Sequence, residues 1–109
     1  FEAGKLISTN SSNSVADGLD CRVPDADALE IVRSGVERIV IVSDDEILAA
    51  MAHYLTDTHN LAEGAGAAPL AALLQEKAQM AGRKVALILS GGNADPALIE
   101  RSLLHADTC

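Results

Sequence analysis

The stretch Lys84-Val85-Ala86-Leu87-Ile88-Leu89-Ser90-Gly91-Gly92-Asn93-Ala94-Asp95-Pro96 sets the fold class. Five apolar residues in a row, flanked by turn signals, predict a strand buried on both faces. The run delivers a small hydroxyl, Ser90, at its carboxyl end. Gly91 and Gly92 then allow a sharp turn, and Asp95-Pro96 opens a helix through Leu104. A strand, a glycine turn and a helix in that order are the places where α/β proteins bind ligands.

Upstream of it, Arg38-Ile39-Val40-Ile41-Val42 is a second continuous β-branched run and predicts a second buried strand. Ser43 follows, with Glu46 three positions later, which is a capping-box signature for a helix. Ile47, Leu48, Met51, Ala52 and Leu55 continue at helical spacing, and His59-Asn60 breaks the run. Pro24-Asp25 predicts a helix to Arg33, stopped by Gly35. Ala65 to Met80 predicts an Ala/Leu-rich helix ended by Ala81-Gly82. Ala16-Asp17-Gly18 reads as a turn and Leu19 to Val23 as a short extended piece. Residues 1–14 read as the tail of a helix (Phe1 to Ile7) and a polar Ser/Asn-rich loop.

Two strands interleaved with four helices indicate an α/β chain. Two buried strands leave sheet edges that the chain cannot cover by itself. The 109 residues suit a single domain, and 49% are hydrophobic, so a core is expected. With no Trp, one Phe and one Tyr, that core must be built from Ala, Leu, Ile and Val.

Net charge is −8, with eight basic against sixteen acidic residues. Binding to a phosphate backbone needs the opposite sign, and the basic residues are scattered, so no nucleic-acid partner is expected. Many acids stand at helix starts (Asp25, Asp27, Asp44 to Glu46, Asp95), where they complement helix dipoles. Cys21 and Cys109 show no metal or disulfide pattern, which suggests a reducing, cytoplasmic setting. His53, His59 and His105 lack ligand spacing and read as surface or capping residues. The apolar runs are too short to cross a bilayer, so no membrane partner is expected.

The ordered set Ala16-Asp17-Gly18, Arg38 to Ile47, Ala62-Glu63-Gly64-Ala65-Gly66-Ala67-Ala68 and Val85 to Asn93 resembles the carboxyl-terminal part of the catalytic domain of threonine/serine dehydratases. These are fold-type II pyridoxal-phosphate enzymes, relatives of serine racemase. Residues 15–104 carry the resemblance, and the order of four motifs is what makes it specific. It implies a piece of the three-layer, tryptophan-synthase-β-like large domain, with two or three strands.

In that family the Ser of Ser-Gly-Gly-Asn hydrogen-bonds the pyridine nitrogen of pyridoxal 5'-phosphate, so the resemblance gives Ser90 that role, with Gly91 beside it. A neutral hydroxyl leaves the ring a weaker electron sink than a carboxylate partner does, which favours prompt loss of a β-substituent. Gly18 resembles the glycine whose backbone lies against the ring face. Glu63 resembles the carboxylate on the phenolic-oxygen side, and Gly64, Gly66 and Ala67 would let its helix pack closely. Each residue also has a plainer reading: Ser90 as an N-cap, Gly18 as a turn glycine, Glu63 as a first-turn acid. Asn93 is expected to hold the shape of its turn, and Met51 and Tyr54 to belong to the core.

The family's Schiff-base lysine and glycine-rich phosphate loop fall upstream of every matched motif. Lys5, Lys77 and Lys84 are the lysines here, and none stands in such a motif. The chain is therefore expected to hold no catalytic residue of its own and no metal ligand. Its start at Phe1 suggests a truncated start, and its end soon after Asn93 suggests no regulatory domain, as in short catabolic dehydratases. The expected parent activity is dehydration of L-threonine or L-serine to a 2-oxo acid and ammonia, with this chain alone inactive and not binding the cofactor. Expected partners are the amino-acid substrate, the missing amino-terminal part and further copies of the enzyme. Serine racemization, hydroxyaspartate dehydration and diaminopropionate cleavage stay open on the same scaffold. A small α/β binding or assembly module without chemistry is the alternative of another class.

Overall fold

A computed structural model describes residues 14–19 and 23–105. The expected helix tail, most of the polar loop and both cysteines lie outside the described residues. Among the described residues five α-helices follow in order: α1 (Ala26–Gly35), α2 (Asp44–His53), α3 (Gly64–Gln75), α4 (Lys77–Met80) and α5 (Pro96–Leu104).

The core sits around α2, which packs against both α3 and α5. Six consecutive residues of α2, Ile47 to Ala52, are buried. The spacing of Ile47, Leu48 and Met51 predicts an apolar stripe; the helix is instead covered nearly all round. The reason lies in its neighbours, since small alanines at 49, 50 and 52 let a helix on each side come close. Ala16, Ala62, Ala67 and Ala71 complete the core, with Tyr54 and Leu98 half-buried against it.

The start of α2 follows from its local sequence. Glu46 N–H donates to Ser43 Oγ at 3.1 Å, and Ser43 N–H donates back to Glu46 Oε1 at 2.9 Å. The ladder loosens into a π-helical turn at Tyr54–Thr58. Thr56 Oγ1 donates to Ala52 O at 2.9 Å and Thr58 Oγ1 to Tyr54 O at 2.6 Å. Such back-bonding competes with the regular helical bonds. His59, at φ 58°, then ends the helix in the left-handed region.

α1 begins where Asp25 accepts from Ala28 N–H at 2.9 Å, and runs to Gly35. None of its residues is buried. The expected helix over 65–80 is divided at Glu76, whose backbone (φ −103°, ψ 16°) leaves the helix between α3 and α4. Both oxygens of its carboxylate pair with the Arg38 guanidinium, Nη2 to Oε2 at 2.7 Å. Gly82 turns the chain at φ +79°, a conformation suited to glycine.

The two expected strands need correction. Among the described residues neither 38–42 nor 84–89 is a strand. A strand exists through ladder bonds to a neighbour, and the 38–42 segment makes side-chain bonds to α3 instead. Gln75 Nε2 donates to Ile41 O at 2.9 Å, beside the Arg38–Glu76 pair. Ile39, Ile41, Val85 and Ile88 stay exposed, Ile41 at 84% and Ile88 at 77%. The extended piece expected from Leu19 also differs: Asp17–Leu19 is a single 3-10 turn closed by Leu19 N–H to Ala16 O at 2.8 Å. Residues 20–22 lie outside the described set.

Candidate functional site

Three segments meet at the amino-terminal end of α3. The first carries Gly18. It is tied down by Asp44, whose Oδ1 accepts from Ser14 Oγ at 3.2 Å and from Val15 N–H at 3.3 Å. Asp44 thus does more than serve a helix dipole: it anchors the loop that holds Ala16 in the core. An ideal Cβ built on Gly18 would stand 3.0 Å from Ala65 Cβ, tighter than an ordinary contact.

The second segment is the helix end itself. Glu63 is the N-cap of α3 and lies outside its first turn. Its side chain is half-buried and makes no cap hydrogen bond. A Cβ on Gly64 would fall 2.6 Å from Val15 O and 2.9 Å from Ala16 Cα. Close approach of two backbones therefore demands glycine here.

The third is the Ser90-Gly91-Gly92 turn. Glu63 N–H donates to Gly91 O at 2.9 Å. A Cβ on Gly66 would fall 2.7 Å from Gly91 O, and one on Gly92 would fall 2.6 Å from Leu61 O. The sequence predicts that Gly91 and Gly92 supply turning freedom. Among the described glycines only Gly82 has a positive φ, so what Gly91 and Gly92 supply is room. Ala94 N–H to Gly92 O, 3.1 Å, closes the turn through the backbone.

Gly18 and Gly91 are thus joined through the N-cap Glu63 and the first residues of α3, Ala65 and Gly66. Ser90 is exposed at the edge of this cluster, next to Gly91. Gly18 and Ser90 are linked only by way of α3. A cleft of about 150 Å³ lies beside them, lined by Val15, Glu63, Gly64, Asn93, Asp95 and others. A larger cavity, about 640 Å³, lies between α2 and α3 and includes Asp45, His53, Gln75 and Lys77 in its lining, but none of the predicted site residues.

Gly18 lies against Ala65, the Glu63 carboxylate lies against Gly91, and Ser90 is exposed beside Gly91. Lys77 starts α4 beside the other cavity, and Lys84 is exposed at the start of 84–89. Of the histidines, His53 Nδ1 pairs with Asp57 Oδ2 at 3.1 Å. His105 bridges Arg101 O at 2.8 Å and Asp45 Oδ1 at 3.2 Å, tying the end of α5 to the start of α2. Among the described residues no group of three or more His, Cys, Asp or Glu is placed to hold a metal ion, and no helix is long and apolar enough to cross a membrane.

The sequence reading missed Asp44 as an anchor and Ala65 as the contact of Gly18. Gly64 and Gly66 were the available signal for close backbone approach, Gly64 to Val15 and Ala16 and Gly66 to Gly91.

The family of pyridoxal-phosphate dependent enzymes matches residues 1–91. The chain is 36% identical over 110 residues to an L-threonine ammonia-lyase of Geobacter sulfurreducens, covering 97% of this chain and 27% of that protein. It is 39% identical over 97 residues to the catabolic L-threonine dehydratase TdcB of Escherichia coli strain K12, covering 87% and 30%. Among solved structures, a threonine deaminase of T.th. matches with a TM-score of 0.80 and 35% identity, over 86% of this chain and 32% of that one. A serine racemase of Dictyostelium discoideum matches with a TM-score of 0.73 and 29% identity, over 86% and 30%. The chain spans about a third or less of these relatives' length, and its fold is a piece of the fold they share. It belongs to the family of pyridoxal-phosphate-dependent enzymes.

Proposed function

We propose that this chain forms one wall of the cofactor site in an L-threonine/L-serine ammonia-lyase, cytoplasmic and oligomeric, that releases a 2-oxo acid and ammonia. The observation that carries the proposal is the meeting of the Gly18, Glu63 and Gly91 segments at the start of α3. Ser90 offers its hydroxyl to the pyridine nitrogen, where a neutral partner leaves that nitrogen largely unprotonated. Gly18 presents bare backbone to the ring face, and Glu63 stands on the phenolic-oxygen side. Pyridoxal phosphate, when bound, withdraws electrons from the substrate's α-carbon, which eases loss of the α-proton and the β-hydroxyl. The lysine anchor and the phosphate cradle belong to parts of such an enzyme that this chain does not span. Strands from those parts would pair with 38–42 and 84–89, covering Ile41 and Ile88.

Threonine is favoured over other substrates by the names and identities of the relatives, 36–39% for the threonine lyases. Serine racemization is the second reading, supported by the 29% identical racemase structure. The test is an assay of the full-length enzyme with L-threonine and L-serine, following 2-oxo acid release and, by chiral chromatography, D-serine. Oxo acid from threonine, lost on removing the cofactor, is the expected result. D-serine as the main product would move the assignment to a racemase, and no cofactor-dependent turnover would overturn it.

A further inference from the structure

We infer that Gly91 is a positioning residue whose bare α-carbon seats the Glu63 carboxylate, so that the two residues act as one unit. The three atoms nearest to a Cβ built on Gly91 all belong to the Glu63 side chain: Oε1 in hard contact, Cδ at 3.0 Å and Cγ at 3.6 Å. The backbones are joined as well, Glu63 N–H to Gly91 O at 2.9 Å. Gly91 does not have a positive φ, so the position requires space and not an unusual conformation. The Glu63 carboxylate makes no capping bond to its own helix. Contact with Gly91 is thus what fixes where it stands at the α3 terminus.

A methyl group at 91 has one easy way to be accommodated. Gly66 contacts the Gly91 backbone at both N and O, and the Glu63–Gly91 hydrogen bond holds the same peptide. The end of a glutamate side chain is flexible, so the carboxylate moves first. Gly91 therefore carries information from the Ser90 turn to Glu63, without itself having to touch a ligand. Its effect on chemistry rests on the proposed role of Glu63 beside the cofactor; the seating itself does not.

The experiment is a double-mutant cycle in the full-length enzyme: Gly91→Ala, Glu63→Ala and the pair together, with Gly35→Ala as control because nothing lies within 4 Å of that position. Readouts are kcat, the position of the cofactor's visible absorption band, and the thermal midpoint of the apoprotein. Gly91→Ala is expected to lower kcat about tenfold or more and to shift the band, whereas in the Glu63→Ala background the same change alters kcat by less than about twofold. With no carboxylate to displace, the added methyl is silent. Equal losses in both backgrounds would overturn the inference. Where Gly91→Ala unfolds the protein, recovery of the midpoint in the pair supports it, and no recovery overturns it. Where no cofactor binds, the proposed function falls, and the midpoints alone decide the seating of Glu63.

Discussion

Arg38 and Glu76 face each other in a two-pronged ion pair, with Nη2 to Oε2 at 2.7 Å, that fastens the segment before α2 to the end of α3. The hydrogen bond from Arg38 holds the Glu76 carboxyl below its ordinary range, and Glu76 in return raises Arg38. The same contact marks where α3 stops, since Glu76 is the residue that leaves the helix.

Acid should therefore loosen the fold through two glutamates. Glu46 is also held below its ordinary value, first by the Ser43 N–H and then by the Gln75 amide. A carboxyl lowered in the folded state stabilises above its unfolded value, here 4.5, and loses that contribution as pH falls through the folded value. Urea midpoints are expected to be level from neutral pH down to about that range and to drop below it. Glu76→Gln should flatten part of the drop. An acid limb identical in the variant would show that the pair adds nothing, as many exposed pairs do.

Ser43→Ala removes one half of the capping box at α2. A loss of about 1 kcal/mol in unfolding free energy is expected. Because α2 is the helix around which the others pack, the whole transition should shift, and not helix content alone. A shift near zero would mean that tertiary packing alone sets this helix end.

Leu48 is 0% exposed and lies at the centre of the α2 contacts. Leu48→Ala should cost about 2–5 kcal/mol by denaturant titration, through lost burial and the cavity left behind. Leu104, 77% exposed, gives the contrast: Leu104→Ala should change stability by less than about 0.5 kcal/mol. Similar losses at both positions would put the core in the wrong place.

Ile41 and Ile88 expose apolar side chains in segments that bear a strand pattern without a ladder. Unpaired backbone beside apolar side chains promotes association between chains. Light scattering of the 109-residue chain should show mass rising with concentration, and Ile41→Ser with Ile88→Ser should suppress the rise. A monomer at all concentrations would refute this.

Local chemistry was legible in the sequence. The Ser43–Glu46 capping box, Pro96 at the start of α5, Gly35 at the end of α1 and the turn at Gly82 depend on neighbours within a few positions. What depended on distant partners was not. Helix α3 stops at Glu76, where Arg38 pairs with the carboxylate, and hydroxyls of Thr56 and Thr58 bond back to the helix within the π-helical turn. The apolar runs at 38–42 and 84–89 predict strands, but a strand needs a ladder partner, and among the described residues neither segment is one. The glycines were legible as needed, while the reason for them is visible only in the structure: Gly64, Gly66 and Gly92 make room for another backbone, and Gly18 and Gly91 for a side chain.

The proposed function turns on Ser90 facing the ring nitrogen of the cofactor. A crystal structure of the full-length enzyme with pyridoxal phosphate bound is the decisive measurement. Ser90 Oγ is expected at hydrogen-bond distance from the pyridine nitrogen, about 2.7–3.0 Å, with Gly18 backbone against the ring face. A ring nitrogen bonded to another side chain, with Ser90 turned to solvent, would overturn the assignment.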